Sequence, residues 1–466
     1  IAAAAASLGG EAIVSDALLD EVTALVEWPE PITGAFDAEF LELPREVLIA
    51  SMQDHQKYFP VTRDGELLPA FITIANLASR NPAAIADGNE RVIRPRLKDA
   101  AFFWEQDRRR PLDQRLADQQ HIVFQKQLGS LHDKTTRVVA LARVIAPATG
   151  AGEADAERAA QLSRCDLSTE MVGEFPQLQG TMGAYYAASS GESAAVSTAL
   201  GEFYRPRFAG DELPASPAGQ AIALADRLDT LVGIFAVGME PTGDKDPYAL
   251  RRAALGALRI CIEHELDIDL QPLLAQAVEA LPAGLLSAAD AQALADRVMA
   301  FLLDRLRAYY ADRGVTNDTV EAVLARHPTS PRDIDLRMHA VTGFRAMPEA
   351  ASLAQANKRA GNLLRKAGAA QRHDIDPSRL ADAAERELLD AMNGMQDTLA
   401  PRLAGQDYAG VLVELAGLKN VVDHFFDSVM VMDEDPDIRA NRLALLARLH
   451  DMFLQVADIS SLKPDT

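Results

Sequence analysis

The stretch Leu418-Lys-Asn-Val-Val-Asp-His-Phe-Phe-Asp-Ser-Val-Met430 decides the fold class. Leu418, Val421, Val422, Phe425, Phe426, Val429 and Met430 recur at steps of three and four, the pattern of a helix burying a wide apolar stripe. Asp433-Glu-Asp-Pro436-Asp breaks the pattern, and Leu443, Leu446, Leu449 and Phe453 resume it. Two antiparallel helices joined by a short acidic loop are expected. Toward the N-terminus the same period returns. Leu224, Leu228, Leu231 and Phe235 form one face; Val138, Leu141, Ala142 and Ile145 form another, ended by Pro147 and Gly150. It holds from about Arg96 onward, and abundant Ala, Leu and Arg favour helices throughout. A mainly α, multidomain protein follows.

Only the first hundred or so residues read as mixed α/β. Glu46 to Met52 is expected as a strand, and Tyr58 to Thr62 and Phe71 to Ala75 flank a loop containing Asp64-Gly65, a hairpin signal. Pro60 and Pro69 suggest edge or terminal strand positions, because Pro donates nothing to a ladder. With 466 residues and ~150 per domain, about three domains fit. Interruptions near residues 115, 240 and 335 divide the chain into 1–115, 116–240, 241–335 and 336–466.

Hydrophobic content of 48% with 24% charged residues is ordinary for a chain that buries cores. No apolar run approaches the ~20 residues that span a bilayer, so no membrane association is expected. The start, Ile1-Ala-Ala-Ala-Ala-Ala-Ser-Leu-Gly-Gly, lacks a basic flank and an initiator Met, which suggests a chain beginning partway through a longer protein. Cys165 and Cys261 make no disulfide framework and no zinc spacing, consistent with a reducing cytoplasm.

The net charge of −22 opposes general nucleic-acid binding, which rests on Lys and Arg. Local patches differ. Arg337, Arg345, Lys358, Arg359, Arg365, Lys366 and Arg372 face one acid, Glu349: seven minus one, a net of +6. Arg91, Arg94, Arg96, Lys98, Arg108, Arg109 and Arg110 form a second stretch, diluted by Asp99, Glu105 and Asp107. Such runs are usually solvated helix faces and prove nothing alone.

Catalytic motifs are lacking. Gly238-Met-Glu-Pro-Thr-Gly243-Asp-Lys245 imitates a phosphate loop, but Asp244 stands where Lys is required. Neither His-Glu-x-x-His nor Gly-x-Ser-x-Gly occurs, nor the His-x-Gly-His and Lys-Met-Ser-Lys-Ser signatures of class I tRNA synthetases.

Leu128 to Leu231 resembles the HD phosphohydrolase domain, a helical fold whose metal is held by a His, a His-Asp pair and a distant Asp. Thr136-Arg-Val-Val-Ala-Leu-Ala142, Ala159-Ala-Gln-Leu-Ser-Arg-Cys165-Asp166-Leu and Ala223-Leu-Ala-Asp226-Arg-Leu-Asp carry the likeness. The first His falls at Lys134, the pair reads Cys165-Asp166, and the last Asp is Asp226. His132-Asp133 lies in the wrong helix to serve as the pair. Two carboxylates and an internal cation are a poor metal site. A degenerate HD-like domain without metal is expected.

Seven segments in one order resemble the beta subunit of heterotetrameric bacterial glycyl-tRNA synthetase. They are Leu43-Pro-Arg-Glu-Val-Leu-Ile49, Met52-Gln-Asp-His-Gln-Lys-Tyr-Phe-Pro-Val61, Gly88-Asn-Glu-Arg-Val-Ile-Arg-Pro-Arg-Leu97 and Phe203-Tyr-Arg-Pro-Arg-Phe-Ala-Gly-Asp211. Pro241-Thr-Gly-Asp-Lys-Asp-Pro-Tyr-Ala-Leu-Arg-Arg-Ala-Ala-Leu-Gly256, Ala356-Asn-Lys-Arg359 and Phe425-Phe-Asp-Ser-Val-Met-Val-Met432 complete the set. The family has more chain ahead of the position of Ile1, so an N-terminal truncation is expected. The resemblance implies an α2β2 ligase (EC 6.1.1.14) joining glycine to tRNA(Gly). ATP and Mg would be used by the alpha subunit, with no cofactor and no catalysis in this chain alone. It also implies that 336–466 is a helical anticodon-binding domain like that of arginyl-tRNA synthetase, with 116–240 the HD-like domain and 1–115 the remainder of the N-terminal beta-subunit domains.

The residues themselves point to the same region. Lys358 and Arg365, like Arg359 and Lys366, are seven apart and share one helix face toward phosphates. Arg439 and Arg442, three apart, either flank bases of an unstacked loop or pair with the acids Asp433 to Asp437. Three readings stand: a tRNA-binding ligase subunit, an HD-type nucleotide phosphohydrolase, and a non-catalytic helical scaffold.

Overall fold

The computed structural model describes residues 1–368 and 374–463. They fall into two compact units, Ile1–Ala225 and Asp226–Thr466.

The first unit opens with a four-stranded antiparallel sheet of β1 (Glu11–Ala12), β2 (Glu30–Ala35), β3 (Phe59–Arg63) and β4 (Glu66–Ala75), ordered β1-β3-β4-β2. The β3–β4 turn is Asp64-Gly65, both at positive φ (51° and 86°), the conformation that matches strand twist in a two-residue hairpin. Phe59, Val61, Phe71 and Ile72 are fully buried in this sheet. Pro69 lies in central β4 rather than at an edge. It has no paired residue there because the β3–β4 register shifts between Pro60 and Thr62, leaving Pro69 opposite the irregularity.

Glu46 to Met52 is helical, not a strand: it lies within the helix Arg45–Gln56. The buried positions Val47, Leu48, Ser51 and Met52 follow the helical repeat, which a short apolar run does not reveal. Pro44 precedes the helix, and Lys57 ends it at φ 58°. Helical structure also begins earlier than the periodicity indicates. A 27-residue helix runs from Pro82 to Arg108 behind the cap Asn81, its pattern blurred by Gly88 and an internal Pro95.

The rest of this unit is helical. Leu131–Thr149 starts with a Ser130/Asp133 capping box and stops at Gly150 with φ 75°. It packs on Glu153–Leu162, and Val138, Leu141, Ala142 and Ile145 are all buried, as their spacing requires. Buried Asp107 ties the neighbouring elements together. It accepts from Arg115, from the backbone of Glu170 and Met171, and from the Tyr186 hydroxyl at 2.8 Å.

The second unit is built from helices. Among them, Pro331–Arg345 packs against Tyr408–Ala416, and Ala350–Lys366 packs against Lys419–Ser428 and Pro436–Leu454. Ala383–Ala404 packs on Tyr408–Ala416, Lys419–Ser428 and Pro436–Leu454. The Leu418–Met430 stripe is narrower than its pattern. Leu418, Val422, Phe425 and Val429 are buried, but the helix ends at Ser428 and Met430 is 75% exposed. Asp435 caps the next helix through its side chain, with Pro436 at the first position.

Candidate nucleic-acid interface

The helix Ala350–Lys366 buries Ala350, Leu353, Ala354, Ala356, Asn357 and Ala360. Its opposite side exposes Lys358, Arg359, Arg365 and Lys366. Among the described residues none of these four is in an ion pair. The Arg359 guanidinium lies 4.6 Å from the Phe426 ring centroid, a contact that orients the head without neutralising it. Gln355, Asn362 and Leu363 complete a surface depression with Lys358, Arg359 and Lys366. The result is a compact block of four unpaired cations.

The other basic residues of that stretch are otherwise occupied. Arg337 is fastened to Asp333 at 2.7 Å, to the carbonyls of Gln455 and Val456, and to the Tyr408 hydroxyl. Arg345 bonds Asp318 at 2.6 Å. Arg372 lies outside the described residues.

Arg439 and Arg442 also have structural partners. Arg442 is only 8% exposed. Its Nε donates to the fully buried Glu385, and its Nη1 donates to Asp433 Oδ2 at 2.7 Å and to the Met430 carbonyl at 2.8 Å. Arg439, partly buried, donates to the Asp433 carbonyl at 2.9 Å. Arg442 thus holds the acidic loop, the second of the two readings open to it, with its guanidinium buried among these acceptors. Glu385, the residue that sequence reasoning missed, carried a signal: Asp382-x-x-Glu385 is a capping box.

In the first unit the HD-like positions hold no ligand set. Lys134 is buried, its ammonium 4.8 Å from the Phe124 ring centroid. Burial, helped by the neighbouring Asp166 carboxylate, pushes the Cys165 thiol up to about 12 despite the opposing hydrogen bond that Gln119 donates to its sulfur at 3.3 Å, so the thiolate a metal needs is disfavoured. Asp166 sits in a short 3-10 turn after the helix and accepts from the backbone N–H of Gly180 and Gly183, capping Thr181–Ser189. Asp226 belongs to the second unit and lies in the helix Pro217–Ala236. Among the described residues no group of three or more His, Cys, Asp or Glu side chains is placed to hold a metal ion. No described helix is long and apolar enough to cross a membrane.

Residues 1–325 match the family model described as glycyl-tRNA synthetase beta subunit. The chain belongs to that family. Residues 353–459 match a second model, the DALR anticodon binding domain, and this range contains all four exposed cations. Among the beta-subunit relatives, the glycine–tRNA ligase beta subunit of Photorhabdus laumondii is 51% identical over 461 residues, covering 99% of this chain and 66% of its own length. That of Pseudomonas putida strain W619 is 52% identical over 454 residues, covering 97% and 66%. That of Acinetobacter baylyi is 51% identical over 453 residues, covering 97% and 65%. This beta-subunit chain therefore spans about two thirds of the length of these curated relatives.

Proposed function

We propose that this chain grips tRNA(Gly) within a glycine–tRNA ligase, while a separate alpha subunit activates glycine with ATP and Mg. The observation that carries this reading is the block Lys358, Arg359, Arg365 and Lys366, exposed and unpaired on one helix inside the DALR match, in a chain whose overall net charge is −22. Phosphates are held by such groups, and each contact releases counterions. The same reading places the complex in the cytoplasm as an α2β2 tetramer. It assigns 336–466 to anticodon binding, 241–335 to a helical body, 116–240 to the degenerate HD-like domain and 1–115 to the N-terminal α/β region. Lys134, Cys165 and the capping role of Asp166 count against a phosphohydrolase, and the DALR match counts against a bare scaffold.

Reconstitution tests the division of labour. The chain mixed with a cognate alpha subunit is expected to raise glycylation of tRNA(Gly), and neither subunit alone is expected to sustain it. Glycine-dependent ATP–pyrophosphate exchange by this chain without alpha would overturn the assignment.

A further inference from the structure

The Lys419–Ser428 helix gives way to extended backbone at Val429, with φ −109° and ψ 122°, and the chain bends at Val431 and Met432. Val429 and Val431 are each 5% exposed, whereas Met430 is 75% and Met432 46% exposed. Two long apolar side chains, close in sequence, thus stand in water. Their display is held in place: Arg442 clamps the Met430 carbonyl at 2.8 Å and the Asp433 carboxylate at 2.7 Å, and Arg439 holds the Asp433 carbonyl at 2.9 Å. Phe426, four residues before Met430, lies beneath the Arg359 guanidinium. Along the chain, Phe426 at the cationic helix face is thus followed by the exposed Met430 and Met432, an apolar strip.

We propose that this strip receives unstacked bases of the RNA whose phosphates meet Lys358, Arg359, Arg365 and Lys366, an inference that rests on the tRNA-binding reading above. Sequence in RNA is read on splayed-out bases, whose flat faces need apolar or aromatic partners. A thioether is polarizable, adapts its shape and packs well against an aromatic ring. The charges around the strip sort the two halves of a nucleotide. Exposed Glu434 and Asp435 repel phosphate, yet carboxylates accept hydrogen bonds from base amino groups; Asp437 is paired with Arg379 at 2.7 Å. Phosphates go to the helix and bases to the strip. Arg439 and Arg442 are then positioning residues that act through Met430 and Met432.

Methionine oxidation by hydrogen peroxide, read by mass spectrometry on the full-length protein, tests this directly. Met430 and Met432 are expected to oxidise readily alone and several-fold more slowly with tRNA(Gly). Met239, 40% exposed and outside the DALR match, serves as the control and keeps its rate. Replacing both (Met430→Ala with Met432→Ala) is expected to weaken tRNA affinity roughly tenfold or more. The slope of log affinity against log salt stays unchanged, since no phosphate contact is lost. Salt-dependent tRNA binding with both methionines oxidising at the free rate overturns the strip and leaves the cationic face standing. Protection by the alpha subunit without tRNA overturns it in favour of a protein contact. If removing the four cations leaves affinity and slope intact, the parent reading falls and the strip with it.

Discussion

Arg442 reaches Asp433 with a 2.7 Å hydrogen bond from Nη1 to Oδ2 while its Nε holds Glu385, a residue with no exposed surface. One buried guanidinium thus joins the acidic loop to the helix Ala383–Ala404.

Arg442→Ala leaves the Glu385 carboxylate buried without its cationic partner, with, among the described residues, only the Asp382 N–H still donating to it. The expected loss is about 3–5 kcal/mol of stability, measured by urea unfolding of the chain. Arg442→Lys recovers only part, because an ammonium lacks the planar fork that serves Glu385, Asp433 and Met430 together. A loss below ~0.5 kcal/mol, the size of an ordinary surface change, would contradict the role given to this pair.

Asp166 supplies a pH dependence of unusual sign for a carboxylate. Burial raises its carboxyl to about 6, against the opposing pull of the Gly180 and Gly183 N–H groups. The folded state therefore binds this proton more tightly than the unfolded state, and its contribution to stability grows as pH falls from about 6 toward the ordinary 3.8. The full gain is about 3 kcal/mol. Asp166→Asn keeps an oxygen to cap Gly180 and Gly183 but removes the titration. The difference in stability between the two proteins is expected to shift in favour of the Asp form as pH drops from 7 to 4. A difference that stays constant with pH would rule this out.

Gly65 is at φ 86°, with open space where a Cβ would stand. Gly65→Ala therefore meets no clash, and its cost is conformational, roughly 1–2 kcal/mol. Gly65→Asn is expected to cost less, since Asn tolerates the left-handed region. Equal melting temperatures for all three proteins would show that the hairpin turn is not strained.

The helices with long, unbroken periodicity were legible from sequence alone: Val138 to Ile145 and Leu224 to Phe235 bury the faces their spacing implies. The Asp64-Gly65 hairpin was legible for the same reason, a local signal with a local cause. Glu46 to Met52 was not, because seven apolar-rich residues fit a strand and a helix equally until tertiary packing chooses. At the candidate interface, Lys358, Arg359, Arg365 and Lys366 were placed by spacing on one helix, and they do share an exposed side. For Arg442 the spacing left two readings open; its pairing with Asp433 was one of them, but its second partner, Glu385, 57 residues away in sequence, was not legible. Spacing alone cannot tell a charge turned outward from one paired across the fold.

The most direct test of the central claim is a salt titration of tRNA(Gly) binding to the wild type and to Lys358→Ala, Arg359→Ala, Arg365→Ala and Lys366→Ala combined. All four side chains are exposed, so folding is expected to be nearly unaffected. If each neutralises one phosphate, the slope of log affinity against log salt falls by roughly three, at ~0.7–0.9 per contact, and affinity drops with it. Retention of both affinity and slope would show that the cationic face is merely solvated and that tRNA is held elsewhere.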